Sequence, residues 1–341
     1  MGNIKKIVIF LSTALISLLI YILLFIFQLG SSITAEWWLH DVKVKKEQIL
    51  GKYNSNRIVI ISGSNGLFGF DSKLLSKLTG YNTVNLAMHA SLDLSYYRML
   101  IQKNIRKDDI VIMPLEYAYY PRENEYSDWF VSNMQSWGTD YIKWLPLDKK
   151  IEFFSKVTWK NVLTGIITPD RDVIDKEKTV LSDPGNDKGY YYGYNYKTLT
   201  PRGDINRAPY HSTEITDMIA NPDKYEEILS YGKSNPAISI YTLSELSKIR
   251  KIVTEKGAKL FITWPATMRT KYFNQYDTTA ITFTNSIQSQ LLNNGFSVIC
   301  NTFYANIDPD LFLDTNYHLD AIGAKVRSES FFKCLKNDKV I

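Results

Sequence analysis

The sequence predicts an α/β domain with a doubly wound, mostly parallel, three-layer sheet, tethered by an N-terminal transmembrane helix. Three observations predict it. Residues 7–29 (IVIFLSTALISLLIYILLFIFQL) run for 23 positions without a charge. Short apolar runs of strand length alternate with helical segments toward both ends of the body. Between these, residues 119–236 lose the alternation and are rich in Tyr, Trp, Asp, Asn and Pro.

The anchor is the strongest signal. At about 1.5 Å per residue, such a run spans a hydrocarbon core of roughly 30 Å. A secretory signal has an apolar region of only about 7–15 residues ending in a small-residue cleavage site. Residues 31–35 (SSITA) are a poor cleavage site, so the anchor is expected to stay uncleaved. Lys5 and Lys6 beside the terminal amine argue for a cytoplasmic N-terminus, although Lys43, Lys45 and Lys46 follow the span. The expected organisation is an anchor over 1–34, a linker over 35–56 with an amphipathic stretch at 36–50, and a folded body over 57–341 outside the cytoplasm.

Within the body, residues 57–62 (RIVIIS) read as a first strand followed by a Gly/Ser/Asn turn. Asp71-Ser72 can cap a helix running through Leu78. A short strand at 83–86, a helix at 92–105 and a third strand at 109–114 (DIVIMP) follow. The pattern resumes with a helix over 238–256, a strand at 259–263, a helix at 280–293, a strand at 296–300 and a closing helix over 321–335. Strands joined through helices imply right-handed crossovers and a parallel sheet covered on both faces. The stretch 119–236 then reads as an insertion into this body, with short helical pieces such as 149–157.

Composition narrows the function classes. The net charge of +5 is modest, without the dense Lys/Arg block of a nucleic-acid binder. Cys300 and Cys334 are too few for a disulfide framework or a cysteine-only zinc site; they can pair in an oxidising compartment, but two free buried thiols is the preferred reading. No glycine-rich phosphate loop and no His/Cys/carboxylate set with metal spacing stand out, so no metal or cofactor is expected. The 23 tyrosines fit a protein that lays rings against a ligand, or ordinary packing.

Two motifs carry chemistry. Residues 61–66 (ISGSNG) follow the first strand, and sites in open α/β sheets form at the carboxyl ends of strands. A small-residue turn there exposes the Ser64 hydroxyl and aims backbone N–H groups at one point, as a nucleophile with half of an oxyanion hole requires. Residues 314–319 (DTNYHL) lie ahead of the closing helix. A hydroxyl needs an imidazole to take its proton, and the imidazole needs an acceptor on its other nitrogen. Asp314 and His318, four apart, can share one side of a helical turn.

Together these motifs resemble the SGNH/GDSL serine hydrolase superfamily, which has a flavodoxin-like three-layer body. The similarity is greater to the membrane-anchored SGNH-like proteins found with bacterial envelope polysaccharide genes. It rests on GSNGLFGFDS at 63–72, NLAMHA at 85–90, PLEY at 114–117 and DTNYHL at 314–319. The resemblance implies Ser64 as nucleophile, His318 as base and Asp314 as its orienter. It gives the N–H groups of Ser64 and the Ala90–Ser91 region to the oxyanion, with Ala87 as a further candidate.

This chain departs from the family where an Asn side chain usually serves the oxyanion. Glu116 stands there, so Glu116 is given another role, such as binding the histidine region or an arginine. Asn65 or Asn85 can supply the missing amide, and His89 lines the site or packs behind it. Tyr191, Tyr192 and Tyr194, bracketed by glycines, can stack on sugar faces or form a lid. The expected function is an extracytoplasmic serine O-acyl esterase or O-acyltransferase, acting on an O-acetylated or similarly acylated cell-envelope glycan. The resemblance also implies an integral-membrane acyltransferase as a partner. The alternative is a catalytically silent SGNH-fold protein that binds glycan or scaffolds envelope assembly.

Overall fold

The computed structural model describes residues 2–31, 33, 35–167, 173–183, 194–205 and 211–341. They fall into two compact units, Met1–His40 with Tyr126–Lys178, and Asp41–Glu125 with Thr179–Ile341. The architecture is mixed α/β, with helix outweighing strand.

The second unit holds a small parallel sheet. Its strands are β1 (Arg57–Ile60), β2 (Asn82–Asn85), β3 (Ile110–Pro114) and β4 (Lys259–Thr263), in the order β2-β1-β3-β4. Ile58 pairs with Ile110 and with Thr83, and Ile112 with Phe261. β1 and β3 are buried throughout, which is why they read as unbroken apolar runs. A two-stranded parallel pair, β5 (Thr267–Met268) and β6 (Asn306–Ile307), lies beyond them in the chain.

The strand expected at 296–300 shrinks to a single bridge. Val298 pairs parallel with Ile262, which exchanges hydrogen bonds with Ser297 and Ile299. The pairing stops at Cys300, whose φ of 70° leaves the extended region. Cys300 and Cys334 form a disulfide, so the expectation of two free thiols is corrected. The closing helix brings their Cα atoms to 5.3 Å, inside the range a disulfide needs.

Helix starts follow side-chain caps. Asp71 accepts the Leu74 N–H at 2.9 Å and opens Ser72–Thr79. Asp93 caps Leu94–Asn104, Ser239 caps Ile240–Glu255, Asp277 caps Thr278–Asn293 and Asp320 caps Ala321–Asn337. Leu94–Asn104 packs on Ile240–Glu255, and Ser72–Thr79 on Ala321–Asn337. The amphipathic stretch at 36–50 is the helix Trp37–Gly51.

In the first unit, the N-terminal helix Gly2–Gln28 has a mean hydropathy of 2.8 over its most apolar window and is long enough to cross a membrane. Helices Asp128–Ser136, Thr139–Trp144, Leu147–Lys156 and Trp159–Ile167 belong to the same unit. Phe130, Met134, Trp137, Tyr141 and Phe153 are buried among them. Leu147–Lys156 is the helical piece expected at 149–157.

Candidate active site

The site is built on the loops that follow β1, β2 and β3. After β1 the chain runs through buried Ile61 and Ser62 to Gly63, then turns into one helical turn, Ser64–Leu67. Gly63 is required by close approach. A Cβ there would lie 2.6 Å from the Ala90 Cα and would strike the Glu116 carboxylate. The loops after all three strands therefore converge on the residue before Ser64.

Glu116, just past β3, is 1 % exposed. One carboxylate oxygen, Oε1, accepts the Asn65 N–H at 3.0 Å, and among the described residues the other, Oε2, has no partner. Burial raises the Glu116 pKa, opposed by hydrogen bonds from Asn65 and Gly63. Glu116 thus holds the Ser64 turn itself. The expected binding to an arginine or to the histidine region is not what these contacts show.

Both asparagines offered by the sequence are occupied within the fold. Asn65 donates its amide to the Pro114 carbonyl at 2.7 Å, while its two oxygens accept from Arg327 at 2.9 and 3.1 Å. Asn85 donates to the Gly66 carbonyl at 2.8 Å and to Asp204 at 2.9 Å, and its side-chain oxygen accepts the Ala87 N–H at 2.9 Å. The Ala87 N–H is therefore committed as well. His89 accepts the Ser91 N–H on Nδ1 at 3.1 Å, and its carbonyl accepts from Tyr97 at 2.9 Å. Among the described residues, the backbone N–H groups of Ser64 and Ala90 make no hydrogen bond.

The late block is not a helical turn. The antiparallel bridge between Phe312 and Leu319, with the Leu313 N–H donating to the His318 carbonyl at 2.8 Å, closes a hairpin loop. Phe312 and Leu319 sit in an apolar cluster with Ile215, Met218, Leu229 and Met268, which fixes the loop's base. Inside the loop, Asp314 Oδ1 lies 2.7 Å from His318 Nδ1. The other Asp314 oxygen, Oδ2, accepts the Tyr194 hydroxyl at 2.8 Å.

Phe68 joins the two motifs. Its backbone N–H donates to the Ser64 carbonyl at 3.0 Å, and the His318 ring stacks on its ring at a centroid distance of 4.2 Å. Tyr194 meets the same ring edge-on at 5.7 Å. Among the described residues no hydrogen bond joins Ser64 to His318. Tyr191 and Tyr192 lie outside the described residues.

Sequence reasoning missed two supports of the turn. Arg327 is fully buried on the closing helix, grips both oxygens of Asn65 and the Trp264 carbonyl, and lies 4.2 Å over the Phe70 ring. Lys46, also buried, donates to the carbonyls of Asn85 (3.0 Å) and Ala87 (2.5 Å). Burial pulls the Lys46 pKa down to about 7, against the attraction of Asp204. Neither residue belongs to a motif, and a charged side chain in a helix ordinarily reads as solvated.

A hollow of about 290 Å³ borders the histidine loop, lined by Tyr117, Ile228, Tyr231, Phe283, Asn316 and Tyr317 among others. A larger one of about 430 Å³ surrounds Arg269, Lys271 and Tyr276, and neither hollow is lined by Ser64, Asp314 or His318 themselves. The smaller hollow takes Asn316 and Tyr317 from the same loop as His318. No protein-family model matches this chain, and no curated protein matches it either.

Proposed function

We propose that this protein is a membrane-anchored serine O-acyl esterase or O-acyltransferase of the SGNH type, acting outside the cytoplasm on an acylated cell-envelope glycan. The observation that carries the reading is the Asp314–His318 pair, seated by Phe68 one helical turn from Ser64. The sheet order supports a doubly wound, three-layer body. In an order of 2-1-3-4 the crossover direction reverses between β1 and β3, and the loops after those strands carry Ser64 and Glu116.

In the proposed reaction Ser64 Oγ bonds to the ester carbonyl carbon and its proton passes to His318 Nε2. Asp314 accepts the Nδ1–H, which fixes the tautomer and steadies the imidazolium. The N–H groups of Ser64 and Ala90 receive the negative oxygen. The proton on His318 then goes to the departing sugar oxygen as the carbon–oxygen bond breaks. Water, or a second sugar hydroxyl, attacks the acyl-serine while His318 takes its proton, and Ser64 is restored. A pair loose in the free protein tightens when substrate occupies the site.

Glu116 suits this scheme as a neutral acid. Its unpartnered Oε2, when protonated, is an O–H donor where the family has an amide, and burial favours that form. The aromatic and amide lining beside the histidine loop suits a sugar ring. The anchor rests on the N-terminal helix, apolar and without charge from Ile7 onward, and the disulfide suits a body in an oxidising compartment.

A second reading, a silent glycan-binding or scaffold protein, is favoured by one observation, a carboxylate where the family has an amide. Hydrolysis of a small acetyl ester, and acetyl transfer to an oligosaccharide, separate the two readings. The proposal expects turnover by the full chain in detergent, lost in Ser64→Ala and His318→Ala. Equal rates in wild type and both variants, or none in folded wild type, would favour the scaffold.

A further inference from the structure

Within the first unit, the helix Trp159–Ile167 lies alongside the C-terminal part of the N-terminal helix. Trp159 meets Tyr21 edge-on at a centroid distance of 4.9 Å. A Cβ on Gly165 would lie 2.9 Å from the Gln28 side chain. Phe154, at the end of the preceding helix, packs on Phe25 at 4.5 Å. Along the N-terminal helix the partners rise in order from Tyr21 through Phe25 to Gln28. The helix pair therefore dips toward Tyr21, with its connection at 157–158 as the tip.

That placement fixes a depth. Leu23, Ile26 and Phe27 of the N-terminal helix remain exposed and apolar, so a bilayer crossed by this helix must cover it at least to Phe27. Tyr21 is six residues before Phe27, about 9 Å along the axis at 1.5 Å per residue. Any side chain against Tyr21 is then inside the bilayer too. Independently, the helix pair carries an outward apolar stripe. Leu147 and Ile151 lie one turn apart, as do Trp159, Leu163 and Ile167, and each is between 53 % and 77 % exposed.

We infer that the helices Leu147–Lys156 and Trp159–Ile167 form a re-entrant hairpin immersed in the outer part of the bilayer, with lipid as the occupant of their apolar stripe. Both helices keep their backbone bonds internal, as a lipid-exposed segment must. The charged side chains of the pair are Asp148, Lys149, Lys150, Glu152, Lys156 and Lys160; Lys149 pairs with Glu152 at 2.7 Å, and the long lysine stems extend toward the headgroup side. Trp159 and Tyr21 supply the aromatic pair favoured near a membrane surface. The hairpin gives the protein a second membrane contact besides its anchor. The inference rests on the anchor part of the proposed function and is independent of the chemistry at Ser64.

The test uses full-length protein in nanodiscs with a fluorescent bimane on one introduced cysteine; Cys300 and Cys334 are bonded to each other. The labelled variants are Leu163→Cys, Leu147→Cys, Leu15→Cys within the N-terminal helix and Ile240→Cys on the α/β body. Quenching by doxyl-labelled lipid is compared with quenching by aqueous iodide. The inference expects Leu163→Cys and Leu147→Cys to be quenched several-fold more by doxyl lipid than Ile240→Cys, and to be shielded from iodide. Iodide quenching of the hairpin labels would overturn it, and so would protection from both quenchers, which means a protein covers the stripe. Failure of doxyl lipid to quench Leu15→Cys would sink the anchor reading itself, a separate result.

Discussion

The imidazole of His318 lies on the ring of Phe68, with centroids 4.2 Å apart and planes 20° from parallel. Phe68 is itself buried, so the base of the proposed reaction is located by packing as well as by Asp314. Phe68→Leu removes the platform while keeping an apolar side chain. The expected result is a loss of roughly 1–3 kcal/mol in stability, since a buried ring is replaced by a smaller group. Ester turnover should fall mainly in kcat, because the hollow proposed for substrate is lined by other residues. Denaturant unfolding and steady-state kinetics check the two parts.

Asp314 divides its carboxylate between His318 and Tyr194. Asp314→Asn keeps the shape but no longer favours the tautomer that frees Nε2. Analogous changes in serine hydrolases cost about 10⁴-fold in kcat, so a loss on the order of 10³–10⁴ is expected. Tyr194→Phe removes one partly exposed hydrogen bond, and a loss of only about threefold to tenfold is expected. The ranking of the two variants under saturating ester is the readout.

Burial raises the Glu116 pKa, so the folded protein binds that proton more tightly than the unfolded chain. Its contribution to stability is complete below the ordinary carboxylate range and is lost as pH rises through the raised value. Glu116→Gln keeps an acceptor for the Asn65 N–H and a donor in place of the acid proton. The stability of this variant should therefore vary less with pH over that window. Its ester turnover should persist as pH rises through the range in which the wild type loses the Glu116 proton. Thermal unfolding across pH checks the first expectation, and a pH–rate profile the second.

The disulfide closes the end of the sheet onto the closing helix, joining residues 34 apart. A loop of that length is worth about 3–4 kcal/mol on the chain-entropy account. Replacing both cysteines by serine should lower stability by roughly 2–4 kcal/mol. If the body lies outside the cytoplasm, thiol alkylation of protein from intact cells should find both sulfurs blocked until a reductant is added.

The centre of the α/β unit is legible because β1 and β3 are buried along their whole length and read as short apolar runs, whereas β2 (NTVN) and the half-exposed start of β4 carry a weaker signal. The strand at 296–300 was overread, since its apolar run ends at the left-handed Cys300 and only Val298 pairs. Asp314 and His318 were found because they are close in sequence, although a bridge between Phe312 and Leu319, not a helical turn, brings them together. Arg327 lies 262 positions from the Asn65 it holds, and Tyr194 lies 120 from Asp314. Such pairings leave no local periodicity to read. Asn65 and Asn85 looked like free amides because sequence cannot show the carbonyls and carboxylates that surround them.

Covalent trapping reads out whether Ser64 is a nucleophile activated by His318. Full-length protein is treated with a fluorophosphonate, its mass is measured intact, and the modified peptide is mapped. One adduct on Ser64 is expected, absent from Ser64→Ala and strongly slowed in His318→Ala. An adduct on another residue, or an unmodified Ser64 in folded protein, would contradict this role for Ser64.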